Sequence, residues 1–219
     1  MQVVPLEPSR RCSGDSGAAI VEAAFISPLL FYLLFAILEL GLYFRNYLLI
    51  GATAVDAARV AAVLGTQADT DYKIVQAVKK ATDALPRSVI NKLVVFNATA
   101  AGTAQGVTPA TAAVPNNCKN MTTGGVQTAD QCNVYTVAAN WGAVPPSSAY
   151  NCVAYTGTTG LSSGYCPTTR KTALSGTNGP PDYVGIYVEF DHKYLTGLFG
   201  TTKKITNTFI VRLEPQSLL

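Results

Sequence analysis

Three patterns of hydrophobic positions follow one another along the chain. From Ala18 to Leu38 the sequence reads AAIVEAAFISPLLFYLLFAIL, almost unbroken apolar residues with a single charge, Glu22. No polar stripe recurs, so the segment predicts a helix that is apolar all round rather than a surface helix. At 1.5 Å per residue it is about 31 Å long, which matches the roughly 30 Å hydrocarbon core of a bilayer. Ala52, Ala54, Ala57, Ala58, Ala61 and Ala62 carry helical character on to Gly65. Their small side chains would let another helix approach closely. Pro28 falls inside the apolar stretch, with Ser27 beside it to satisfy a freed carbonyl. Asp56 and Arg59 are spaced to pair on one helix face.

The second pattern has the helical period. Tyr72, Val75, Val78, Thr82 and Leu85 recur at steps of three and four, with Thr70-Asp71 as a start signal and Pro86 as a stop. Lys73, Lys79, Lys80 and Asp83 lie off that face and read as solvated. The third pattern has period two. Leu-Val-Val-Phe within Lys92–Ala98 predicts a short buried strand. Val184, Ile186, Val188 and Phe190 alternate with more polar neighbours, and Ile205, Phe209, Val211 and Leu213 share one face of a closing strand. The expected fold is α+β: a long N-terminal transmembrane helix running into a small head, with a second helix packed on an antiparallel sheet.

Between these flanks, residues 99–182 form a Cys-bearing, loop-rich insertion with five charges: Lys119, Asp130, Arg170, Lys171 and Asp182. Rich in Thr, Ala, Gly and Asn, this stretch cannot build a deep core by itself. Val134–Ala139 reads as one strand and Trp141 as one buried anchor. Cys118, Cys132, Cys152 and Cys166 are spaced wrongly for a structural zinc site. Two disulfides in an oxidising compartment are the better reading. Of the three possible pairings, matched spacing favours Cys118–Cys132 with Cys152–Cys166.

Composition and charge narrow the function classes. The chain of 219 residues is 48% hydrophobic and 13% charged, with a net charge of +3. That balance argues against a phosphate-tracking surface, so no nucleic-acid partner is expected. One His, His192, and no nucleophile-elbow or metal motif argue against an anchored envelope enzyme. No catalytic residue, cofactor, metal or small-molecule substrate is expected. His192 reads as structural or exposed rather than as a ligand. Arg10 and Arg11 precede the apolar segment, which favours a cytoplasmic N-terminus and an extracytoplasmic head. The apolar stretch is too long for a secretory signal, and Glu39-Leu40-Gly41 follows it rather than a small-residue cleavage site.

Glu22 is the residue that a plain anchor does not explain. A carboxylate inside a membrane helix costs roughly 2.5–3.5 kcal/mol, so it calls for a partner. A cut between Gly17 and Ala18 would place a new amino group four residues before Glu22, one helical turn away. The helix dipole is also favourable there. A basic leader, Gly17, then Ala18-Ala-Ile-Val-Glu22 at the start of an apolar helix is the arrangement of a type IV prepilin. Together with Pro28-Leu-Leu, Glu39-Leu-Gly41, Asp56-Ala-Ala-Arg59-Val-Ala-Ala62 and Val211-Arg212-Leu-Glu214-Pro215, the sequence resembles the TadE-like pseudopilins of the tight-adherence (Tad) branch of type IV pilus systems. The resemblance covers roughly residues 10–98 and 183–215.

The resemblance implies a membrane-anchored minor pilin or assembly component of an adhesive pilus. A prepilin peptidase would mature it, with Gly17 as the last leader residue, Ala18 as the new N-terminus and Glu22 as the carboxylate used in subunit assembly. Its partners would be that peptidase, other pilins or pseudopilins, the pilus assembly platform and the membrane. The expected location is the cell inner membrane, single-pass, with incorporation into an extracellular pilus. The organisation is then 1–17 leader, 18–65 transmembrane and emerging helix, 66–98 head helix and first strand, 99–182 insertion, and 183–219 closing strands. Removal of the leader would also remove Cys12, leaving an even set of four Cys outside the membrane. The alternative is a membrane-anchored extracytoplasmic binding module or adhesin, with the insertion as its recognition region. Glu39 is expected at the outer membrane edge, reaching toward headgroups or water. Leu195, Leu198 and Phe199 stand in a connection that should be exposed. They are expected either to close over one end of the sheet or to contact a partner subunit.

Overall fold

The computed structural model describes residues 15–83, 85, 90–98, 114–120, 132–136, 161–172 and 181–214. The chain divides into two compact units, one ending at Leu42 and the other beginning at Tyr43. A single helix, α1 (Asp15–Leu64), contributes to both and continues through Pro28. In the N-terminal unit its large apolar side chains are exposed on every side, Phe25 at 80% and Ile20, Leu29 and Ile37 among the rest. No water-facing helix could hold such a surface, which fits a bilayer span by length and composition.

The second unit is the head. Gly65 ends α1 in the left-handed conformation, φ 54°, with its N–H donating to the carbonyl of Ala61 at 3.1 Å. Helix α2 (Thr70–Ala81) follows. Thr70 and Asp71 do not cap it, as their position at its start suggested. Asp69 holds the cap position, while Thr70 and Asp71 lie inside the helix and are fully buried. Ile74, Val75 and Val78 continue that buried face; Tyr72 is only half-buried. The Thr82 hydroxyl closes the helix by donating to the carbonyl of Val78 at 2.7 Å.

Five strands form one antiparallel sheet: β1 (Ile90–Asn97), β2 (Cys132–Thr136), β3 (Leu161–Ser163), β4 (Tyr183–Lys193) and β5 (Thr202–Arg212). Their order is β3-β2-β1-β4-β5. The helix and sheet, with a disulfide-bearing middle segment, make the expected α+β head. The insertion is less separate than its composition suggests. It supplies β2 and β3, and β2 pairs with β1 from Lys92↔Thr136 to Phe96↔Cys132. A segment too poor in apolar residues for its own core thus shares the core of the flanks. Trp141 and residues 137–139 lie outside the described residues.

Both faces of the sheet are covered. On one face Leu93, Val95, Val184, Ile186, Val188 and Phe190 pack with α1 and α2. The α1 surface there is Ile50, Ala54, Ala57, Ala58 and Ala61, each fully buried. The small residues of the emerging helix therefore admit this chain's own sheet, where close approach of another helix was expected. A Cβ added at Gly51 would lie 3.3 Å from the Asn207 amide nitrogen, a measure of how near the helix runs to β5. On the opposite face Val94, Phe96, Ala98, Val134 and Tyr187 form a second core with Val114 and the short helix α3 (Asn116–Asn120).

That second face explains why β1 and β4 are apolar beyond simple alternation. Gly185 pairs with Phe96, whose ring covers it; a Cβ at Gly185 would fall 2.1 Å from Phe96 Cζ. The strand here accepts no side chain because the aromatic ring occupies the space. The edge strand β5 is less buried than its apolar face predicted. Ile205 and Leu213 are buried and Val211 is half-buried, but Phe209 is 39% exposed. β5 has a neighbour on one side only, so the sheet covers its side chains incompletely.

Candidate functional site

The start of α1 carries the residues singled out for processing and assembly. Gly17, Ala18 and Glu22 all lie in the first two turns of α1 and are all exposed. Ala18 and Glu22 are four apart, so they share a helix face. The helix begins at Asp15, so the peptide bond between Gly17 and Ala18 sits in its first turn. That turn lacks a full set of backbone hydrogen bonds and contains a glycine, so it unwinds at low cost. Nothing lies within 4 Å of a Cβ placed on Gly17. Arg10, Arg11 and Cys12 lie outside the described residues. Glu39, expected to reach toward headgroups or water, is 1% exposed.

The cysteines staple the insertion to the sheet. Cys118, in α3, is bonded to Cys132, the first residue of β2, with Cα atoms 6.3 Å apart. Both are fully buried in the second core. Cys166 is disulfide-bonded as well. Cys152 lies outside the described residues.

A buried polar cluster fixes residues 164–170 against the head, and no local pattern announced it. Arg170 Nη2 lies 2.7 Å from Asp71 Oδ1, and both side chains are fully inaccessible to solvent. The other Asp71 oxygen accepts hydrogen bonds from the Tyr135 hydroxyl at 2.7 Å and from the Asn133 amide. Asn133 Oδ1 in turn accepts the backbone N–H groups of Gly164 and Tyr165, at 2.8 and 2.6 Å. Arg170 also donates to the Tyr165 carbonyl at 3.1 Å and lies over the Tyr165 ring, 4.6 Å from its centroid. Burial pushes the Tyr165 hydroxyl pKa far up, so it stays neutral. The cluster ties α2, β2 and the 164–170 segment together. One signal was available: Arg170 is one of five charges in a charge-poor segment. Nothing local, however, pointed to Asp71, 99 residues away.

A second polar group sits on the opposite face. Glu189 Oε1 lies 2.7 Å from Lys204 Nζ, and Glu189 Oε2 accepts from the Tyr187 hydroxyl at 2.9 Å. Burial alone would raise the Glu189 pKa. The Lys204 and Tyr187 hydrogen bonds and the Lys204 and Lys92 charges outweigh it and hold the carboxyl below its usual range. The hydrogen bond to Glu189 raises the Lys204 pKa.

At the tip of the β4–β5 hairpin, Leu195, Leu198 and Phe199 are exposed, Leu195 at 79%. They do not close over the end of the sheet. Gly197 and Gly200 turn the loop in left-handed conformations, φ 75° and 102°. His192, at the base, is buried. Its Nδ1 is 2.8 Å from Asn46 Nδ2, and its ring meets Tyr43 and Tyr194 edge-on at 5.5 and 4.9 Å. This is a structural setting for His192. Among the described residues no group of three or more His, Cys, Asp or Glu is placed to hold a metal ion.

Residues 17–59 match the family model described as TadE-like protein. The N-terminal resemblance read from the residues and the family match therefore coincide. The match opens at Gly17, includes Ala18 and Glu22, and ends at Arg59; the rest of the head lies beyond it. No curated protein and no solved structure matches the chain.

Proposed function

We propose, from the premise that residues 17–59 are TadE-like, that the chain is a minor pilin (pseudopilin) of a Tad-type adhesive pilus. Its role is structural rather than catalytic. A prepilin peptidase cuts between Gly17 and Ala18 on the cytoplasmic side. The helix then holds the head outside the inner membrane until other pilins and the assembly platform take it up. The observation that carries this reading is the coincidence of the family match with an exposed apolar helix whose first turns present Gly17, Ala18 and Glu22.

Glu22 supplies the selectivity. In the bilayer its carboxylate is costly until an amine meets it. The free amino group of Ala18, one turn away or on a neighbouring subunit, meets that need only after cleavage. The unprocessed chain offers an amide at that position and no cation. Cleavage thus switches the helix start from a lone carboxylate to one that can pair, and pairing between subunits would place adjacent helices in register.

The pilin reading is favoured over a separable adhesin tip because the insertion provides two strands of the head sheet and half of its buried ion pair. Glu22→Ala should reach the membrane at the level of the unmodified chain yet enter pilus assemblies poorly. Quantitative blotting of membrane and sheared-pilus fractions measures both. Uptake of Glu22→Ala at the normal level would remove the role assigned to the carboxylate.

A further inference from the structure

The two edges of the sheet differ in length. β3 closes one side with three residues, an edge too short to pair with much. β5 closes the other with 11 residues, in unbroken register with β4 from Tyr183↔Arg212 to Lys193↔Thr202. Every second residue of β5 turns its N–H and C=O toward β4, and the residues between turn theirs outward. Exposed side chains stand on both faces of the strand. Lys203 and Phe209 share a face with Ile205, which packs in the core with α1, and Thr206, Thr208 and Arg212 lie on the other. The cover on neither face therefore closes over the edge.

The devices that blunt a long edge are missing from the centre of β5. The strand has no Pro and no bulge, and residues 205–211 carry no charge. Thr206, Thr208, Phe209, Ile210 and Val211 are residue types that suit a pleated, half-buried surface. Charge is confined to the two ends, and all of it is positive: Lys203, Lys204 and Arg212.

Those cations select the occupant. On the inner edge, β4 already answers one of them. Asp191 is the register partner of Lys204, and Glu189 Oε1 lies 2.7 Å from the Lys204 ammonium. Lys203 and Arg212 are exposed and form no ion pair among the described residues. A second copy of β5 brings them no anion, because no Asp or Glu occurs between Asp191 and Glu214. Antiparallel pairing of two copies would instead gather Lys203 and Lys204 of one beside Arg212 of the other, at both ends. Like charges placed together across a strand pair are unfavourable.

We propose that the free edge of β5 is a strand-docking site for another protein. The occupant is an extended segment with uncharged, β-branched residues at its centre and an acidic residue toward each end. One carboxylate lies opposite Lys203 and the other opposite Arg212. Backbone hydrogen bonds supply the pairing, and the two carboxylates set partner and register. The same cations keep copies of this chain apart. The site lies wholly within the head and is independent of the pilin reading.

Hydrogen–deuterium exchange of the full chain in detergent micelles tests this. The probe is a synthetic peptide about ten residues long, with Thr and Val alternating between two terminal Glu residues. At saturation it should slow exchange about tenfold at the outward N–H groups of β5 and leave β1 and β2 unchanged. A peptide of the same charge with Pro at its centre cannot extend a ladder and should protect nothing. Lys203→Glu with Arg212→Glu should weaken the acidic peptide about tenfold and favour the same peptide ended by Lys. Unchanged exchange in β4 shows that this variant is folded. Equal protection by the Pro peptide would mean charge attraction alone and overturn the proposal. Protection of β5 that rises with protein concentration in the absence of peptide would overturn it in favour of self-pairing. Protection by neither peptide would leave β5 a closed edge and refute the docking site.

Discussion

Residues 15–42 and 43–64 belong to one helix, α1, but their side chains differ in size and in surroundings. The first half exposes Ile20, Phe25, Leu29, Phe31 and Leu33; the second buries Ile50, Ala54, Ala57, Ala58 and Ala61. Both halves are hydrophobic, so hydropathy alone does not separate them. Side-chain volume does. Lipid tails adapt to bulky residues of any shape, whereas a sheet packed closely against a helix favours small residues such as Ala at most contact positions. Two carboxylates show contrasting settings. In the first half Glu22 stands exposed on an apolar helix, whereas in the head Asp71 is buried with Arg170.

The largest effect should come from breaking the buried pair. Asp71→Leu leaves Arg170 without its carboxylate in a solvent-free site, which should cost about 3–5 kcal/mol of head stability. Denaturant unfolding of the detergent-solubilised chain, followed by tyrosine fluorescence, measures it. Asp71→Leu combined with Arg170→Met should recover part of the loss, because no buried charge is then left unpaired, while the Tyr135 hydroxyl still loses its acceptor.

Ala58→Leu and Leu30→Ala test the two halves of α1 against each other. Overpacking at Ala58 should cost the head about 1–3 kcal/mol. Leu30→Ala should leave head unfolding within about 0.5 kcal/mol of the unmodified chain, because the side chain lies outside any protein core. Equal effects in the same unfolding assay would erase the distinction drawn between lipid-facing and sheet-facing positions.

The smallest effect is a pH dependence confined to the head. The folded-state pKa of Glu189 is lowered, so its contribution is complete above the unfolded carboxyl value of about 4.3. It is lost as pH falls through the lower folded value. Head stability should therefore decline more steeply below about pH 4 in the unmodified chain than in Glu189→Gln. Parallel melts across the acid range would reveal the difference as a change of slope.

Local patterning made α1, α2 and the β4–β5 hairpin legible, because each repeats over several turns or residue pairs. Gly65 was also legible as a stop, since a left-handed residue is what ends such a helix. Other features were not. The Asp71–Arg170 pair joins α2 to a distant segment, and single charged residues carry no information about a partner so far away. β3 is three residues long and follows no apolar run that periodicity could detect. The exposure of Phe209 depends on β5 being an edge strand, which is a property of sheet order rather than of the strand. Residue types and spacing singled out Gly17, Ala18 and Glu22, and the structure places them exposed at the start of α1. The buried setting of Glu39 was not legible, because its place in the sequence says only how far it lies from the apolar core.

The central claim is that the chain is a precursor whose helix begins to function once cut before Ala18. Intact-mass and N-terminal analysis of the protein purified from membranes of its own host, with and without the prepilin peptidase, tests this most directly. The account predicts a chain beginning at Ala18 when the peptidase is present, and the uncut leader when it is absent. A membrane-extracted protein that begins at Met1 in the presence of an active peptidase would contradict it.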